Sequence, residues 1–90
     1  MFYVYILYSR DFDRYYVGQS NNLEARLLKH NSGKVLSTKA YLPWEMKYHE
    51  TFTTRGEAMC REREIKARKS RKYIESLLTC AQPAESRARD

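Results

Sequence analysis

Residues Phe2 to Ser9 carry β-branched or aromatic side chains at most positions, a run that predicts a strand. Alternation sets Tyr3, Tyr5 and Leu7 on one face and Val4, Ile6 and Tyr8 on the other. Both faces are apolar, so this strand is expected at the centre of a sheet. Arg10 to Asp13 is a charged turn. Arg14 to Gln19 is a second strand, close enough to pair antiparallel with the first. Gly18 near its end implies close approach of another group to the backbone. Asn21-Asn22-Leu23-Glu24 then starts a helix, with Asn21 as cap and Glu24 three residues on. The helix runs to about Asn31 and Ser32-Gly33 ends it. Leu23, Leu27 and His30 form its stripe, with Arg26 beside them.

Lys34 to Pro43 shows no period and is read as a polar loop, and Trp44 to Phe52 as a third strand. Thr54-Arg55-Gly56-Glu57 matches a capping box, followed by a long helix to about Lys69. Ser70 to Leu78 is a last short helix that docks through Ile74, Leu77 and Leu78. The order strand, strand, helix, strand, helix, helix predicts an α+β fold: a small, mostly antiparallel three-stranded sheet covered by helices. One domain is expected over residues 1–78. Residues 79–90 hold little apolar surface and are expected to form a flexible tail.

Composition narrows the picture further. The chain has 90 residues, enough for one domain with a modest core. No apolar run is long enough to span a membrane, and the first residues lack the pattern of a signal peptide. Cys60 and Cys80 are the only cysteines and form no metal-binding pair, so a reducing cytoplasmic setting is expected. The net charge of +6 points to polyanions, nucleic acid foremost, although an aid to solubility explains it too.

Several residues fit a plain core poorly. Ala58, Ile65 and flanking Met59 define the buried stripe of the long helix, and Glu62 falls on it. A carboxylate there needs a cation or donors. It is either half of a salt bridge to a core-edge arginine or lysine, or a ligand for Mg²⁺ or Mn²⁺. Arg26 and His30 face the same way at i, i+4 spacing. Arg26 is either a solvated residue or a planar fork for a phosphate oxygen. His30 is either a dipole-favoured residue at the helix end or a proton acceptor or donor. Tyr5 and Tyr16 have the plain reading of sheet aromatics. Arg61, Arg63, Arg68 and Lys69 belong to a basic run that is either a solvated face or a phosphate-backbone tracker.

Together these motifs resemble the GIY-YIG nuclease family, in particular its small stand-alone single-domain (UPF0213-like) members. Val4-Tyr5-Ile6 is similar to the first motif and Tyr16-Val17-Gly18 to the second. Asn22-Leu23-Glu24-Ala25-Arg26, with His30 one turn on, resembles the family's Asn-Leu-x-x-Arg helix start. Glu57-Ala58, Glu62 and Ile65-Lys66 resemble its metal-binding helix. The likeness covers roughly Phe2 to Leu78. It implies a metal-dependent endonuclease acting on nucleic acid, DNA in preference to RNA, with DNA repair as a fitting setting. By that resemblance Tyr5, Tyr16, Arg26 and His30 surround one phosphate and Glu62 holds a single Mg²⁺ or Mn²⁺. The attacking water is oriented or deprotonated by Tyr16, by Tyr5 with it, or by His30.

The sequence departs from the family pattern in places. Tyr3 replaces the glycine of the first motif in many members. Gln19 stands where some, such as the excision-repair nuclease subunit, carry lysine, which removes a positive charge. No late asparagine follows the metal helix, and no DNA-binding domain is appended. Binding is therefore expected to be phosphate-driven or structure-selective rather than sequence-specific, and a partner protein that supplies binding surface is compatible with so small a domain. Two other classes compete: an inert nucleic-acid-binding module of the same fold, and a protein-interaction domain whose charge serves solubility. Steep weakening of nucleic-acid binding with salt separates the last from the others.

Overall fold

In a computed structural model, which describes residues 1–68 and 70–81, the central strand is β1 (Phe2–Ser9). It pairs antiparallel on one side with β2 (Arg14–Ser20) and on the other with β3 (Glu45–Phe52), giving the order β2-β1-β3. The central place follows from the two apolar faces of β1, which leave neither side to water. Between β1 and β3 the register shifts at Ile6/Leu7, so that Ile6 faces Tyr48 while Leu7 faces Met46. Lys47 is the extra residue of a bulge.

Three helices complete an α+β fold: α1 (Leu23–Asn31), α2 (Arg55–Arg68) and α3 (Arg71–Ala81). The two faces of the sheet carry separate cores. Val4, Ile6 and Val17 pack with Ala58 and Ile65 of α2 and with Tyr73, Ile74 and Leu77 of α3. Tyr5, Leu7 and Trp44 pack on the other face with Leu23 and Leu27 of α1 and with Tyr41, Leu42 and Met46. Each fully buried aliphatic side chain contributes roughly 1.5–3 kcal/mol over its exposed state. Ile65 is the one large buried apolar residue of α2, so it fixes how the helix carrying Glu62 sits on the sheet.

Four expectations need correction. The cap of α1 is Asn22, whose side chain accepts from the Ala25 amide at 3.0 Å. The Asn22 amide in turn donates to Ser20 Oγ at 3.0 Å, which seats the cap one residue later than Asn21. Met59 is 41% exposed and lies off the buried stripe, because one step round a helix turns a side chain about 100° from its neighbour. The loop before β3 holds a 3-10 turn at Lys39–Tyr41 and a fully buried Thr38. Helix α3 runs three residues past its expected end at Leu78. Residues 82–90, the rest of the expected tail, lie outside the described residues. Among the described residues no helix is long and apolar enough to cross a membrane.

Candidate active site

Tyr5 sits mid-strand on β1, opposite Gly18 of β2. A Cβ on Gly18 would lie 2.5 Å from Tyr5 Oη and 2.7 Å from its Cζ. The glycine is therefore required by the ring that crosses it, as its place in the strand implied. Gly18→Ala should push Tyr5 off its partner and cost roughly 1–3 kcal/mol, a fall of about 4–8 °C in melting temperature per kcal/mol for a domain of this size. Thermal unfolding measures it; an unchanged melting temperature would mean the phenol has room to shift.

That partner is His30, one turn beyond Arg26 on α1. Tyr5 Oη lies 3.0 Å from His30 Nε2, and His30 Nδ1 lies 2.9 Å from Thr38 Oγ1. Both rings are nearly closed to solvent, Tyr5 at 2% and His30 at 1% exposure. Thr38 Oγ1 also lies 3.4 Å from the Val35 carbonyl oxygen. Both ring nitrogens of His30 are thus engaged within the fold. Burial foremost, then the charges of Arg26 and Lys29, holds His30 below its ordinary pKa, which favours the neutral imidazole. Trp44 Nε1–H donates to the Thr38 carbonyl at 3.0 Å and anchors the far end.

Tyr16 lies above this pair. Its ring centre is 5.0 Å from that of His30 and 6.4 Å from that of Tyr5. It is only partly buried, and its hydroxyl has no hydrogen-bond partner among the described residues. Of the three candidate bases it alone reaches solvent with an unengaged oxygen. Arg26 is half-buried and, among the described residues, pairs with no carboxylate. It borders a small groove with Ser20, Asn22 and Lys29.

Glu62 approaches from α2, on the other side of the sheet, past the edge strand β2. Burial foremost, then the neighbouring Tyr16 phenol and the Glu62 carboxylate, raises the Tyr5 hydroxyl above its ordinary pKa, while Arg26 pulls the opposite way. Tyr16, Arg26 and Glu62 thus gather within electrostatic reach of one hydroxyl. Glu62 is 22% exposed and accepts from Lys66 Nζ at 2.8 Å, an i, i+4 pair within α2. The salt bridge allowed for Glu62 therefore exists, but its lysine comes from the same helix and is half-exposed. The second Glu62 oxygen has no protein partner among the described residues, and Glu62 lines a groove of about 250 Å³ together with Met59, Arg63 and Lys66. Among the described residues no three His, Cys, Asp or Glu side chains cluster as a metal cage. A single carboxylate with one free oxygen suits a hard cation such as Mg²⁺, which keeps most of its waters and takes substrate oxygens.

The basic residues divide. Arg61 turns inward: it grips Glu50 of β3 through two bonds at 2.9 and 3.0 Å, and also meets Tyr73 and Glu64. Its donors tie β3, α2 and α3 together and are engaged there. Arg63 is exposed beside Glu62, and exposed Arg68 lies 4.4 Å over the Tyr73 ring. Lys69 lies outside the described residues. Gln19 shares the α2-facing side of β2 with Val17, and its side-chain oxygen is buried with no partner among the described residues. One contributor carries no mark in the sequence pattern: Thr38 sits in the aperiodic stretch before β3.

The chain is similar to known proteins over most of its length. A family model described as the GIY-YIG catalytic domain matches residues 1–74. A UPF0213 protein of Staphylococcus epidermidis is 45% identical over 65 residues, covering 71% of this chain and 78% of that protein. One of Bacillus pumilus is 42% identical over 79 residues, covering 83% and 80%. The solution NMR structure of a UPF0213 protein from Bacillus halodurans is 34% identical, with a TM-score of 0.55 over 89% of this chain and 85% of that one.

Proposed function

Because the chain belongs to the GIY-YIG family, whose members are nucleases generally dependent on a divalent metal ion, we propose that it is an endonuclease hydrolysing phosphodiester bonds in DNA. The observation that carries this reading is the partly exposed Tyr16 ring, which lies 5.0 Å from the His30 ring of the buried Tyr5–His30 pair and 5.8 Å from the Nζ of Lys66, the partner of Glu62. In this proposal Glu62 holds one Mg²⁺ or Mn²⁺. When bound, the ion supplies Lewis-acid polarisation of the phosphoryl oxygen and steadies the leaving oxygen.

The chain's own groups do the rest. Arg26, with no acid to neutralise it, meets the charge that builds on the phosphoryl oxygens. Tyr16 presents its free phenol oxygen to the attacking water and orients it. His30, with both ring nitrogens engaged, and Tyr5, with its hydroxyl bonded to His30, hold the Tyr16 ring in place rather than act as the base. Arg63 and Arg68 track neighbouring phosphates; Arg61 drops out of that set because its donors are engaged. Substrate choice rests on backbone and shape. A partner protein adds surface where this small domain lacks it. The reducing cytoplasm is the proposed setting, supported by the free, exposed Cys60 thiol.

One observation favours a binding module without chemistry: Glu62 is already neutralised by Lys66. The test is cleavage of labelled single-stranded, duplex, flap and branched DNAs with Mg²⁺ or Mn²⁺ and with chelator. The nuclease reading expects metal-dependent cutting that favours one of the non-duplex forms. Salt-sensitive binding with no cutting of any form would favour the binding module.

A further inference from the structure

The lysine that holds Glu62 also lies beside Tyr16. Lys66 Nζ is 2.8 Å from Glu62 Oε2 and 5.8 Å from the centre of the Tyr16 ring. Two open grooves meet at this residue. One, of about 420 Å³, runs beside β2 and is bordered by Tyr15, Tyr16, Ser70 and Arg71; the other is the groove of about 250 Å³ that Glu62 lines. Among the described residues, Lys66 is the only one that lines both. Among the described residues its one ion-pair partner is Glu62.

A divalent cation and an ammonium do not share one carboxylate easily, because like charges a few ångströms apart repel. A half-exposed pair within one helix is weak, so the lysine gives way. Its stem is long and flexible, but it is rooted one turn from Glu62. The displaced head therefore stays in the site. The face of Tyr16 offers it a cation–π contact, and the larger groove opens beyond.

We propose that Lys66 exchanges partners: it neutralises Glu62 before the cation arrives, and contacts a phosphate oxygen of the DNA strand once Glu62 is occupied. The inference rests on the reading of Glu62 as the metal ligand, and it adds a substrate-contacting residue to that site.

The test compares wild type with Lys66→Met, Lys66→Arg and Glu62→Gln, all as the full chain. Mn²⁺ alone is titrated first, with the free ion followed by electron paramagnetic resonance. Lys66→Met should bind Mn²⁺ about two- to fivefold more tightly, since no cation competes. Binding of labelled duplex DNA is then measured in Ca²⁺ as salt is raised. Lys66→Met should lose about 0.9 from the slope of log affinity against log salt, one phosphate contact, while Lys66→Arg keeps it. An unchanged or weaker Mn²⁺ affinity in Lys66→Met, or an unchanged slope, overturns the exchange while leaving the nuclease reading intact. Mn²⁺ binding that Glu62→Gln does not diminish overturns the metal assignment and the exchange with it.

Discussion

Arg26→Ala is expected to lower the cleavage rate by about 10²–10³ while leaving the fold in place, the usual loss when one preorganised charge donor is removed from a phosphoryl-transfer site. The expectation has a structural basis beyond family likeness. Among the described residues Arg26 has no carboxylate partner, so the protein holds its charge free beside Tyr5 and His30. Keeping a half-buried guanidinium without a counter-ion is costly unless an anion arrives to use it. Its loss should leave α1 standing, because Leu23, Leu27 and buried His30 carry the packing of that helix. Lys at this position should recover only part of the rate, since an ammonium lacks the two-pronged geometry that matches phosphate. Single-turnover cleavage by folded Arg26→Ala at the wild-type rate would remove Arg26 from the chemistry.

Glu62→Gln is the other change with a large expected effect. It keeps the shape of the side chain and its place one turn from Lys66, but removes the charge that a hard cation requires. Cleavage should fall to background. Stability should change little, because the Glu62–Lys66 pair is partly exposed and lies within one helix, where such pairs are worth about 0.3–0.5 kcal/mol. A loss of activity without loss of fold separates a ligand from a structural ion pair.

Much of this was legible in the chain before its structure. The apolar faces of β1 placed it at the centre of the sheet, and Gly18 announced the close approach that Tyr5 makes across it. The stripe Leu23, Leu27, His30 gave the correct buried face of α1. What stayed hidden depends on contacts between distant segments. Asn21 and Asn22 are equally good caps by local pattern, and a contact with Ser20 decides between them. Arg61 and Arg63 look alike in a basic run. Only the fold brings Glu50 of β3 to one and not the other. Thr38 orients His30 from a stretch without periodicity, so no local pattern points to it. The pairing of Glu62 with Lys66 obeys simple i, i+4 spacing and was open to local reading. Its place beside Tyr16 was not, because that needs α2 to cross the edge of β2.

The most direct measurement of a metal-dependent nuclease site is cleavage of the labelled DNA panel by wild type and by Glu62→Gln, each with Mn²⁺ or Mg²⁺ and with chelator, both proteins first shown to be folded by circular dichroism. Wild type should cut with metal and not with chelator, and Glu62→Gln should cut under neither condition. Cutting that persists in chelator, or in folded Glu62→Gln with metal, would contradict such a site.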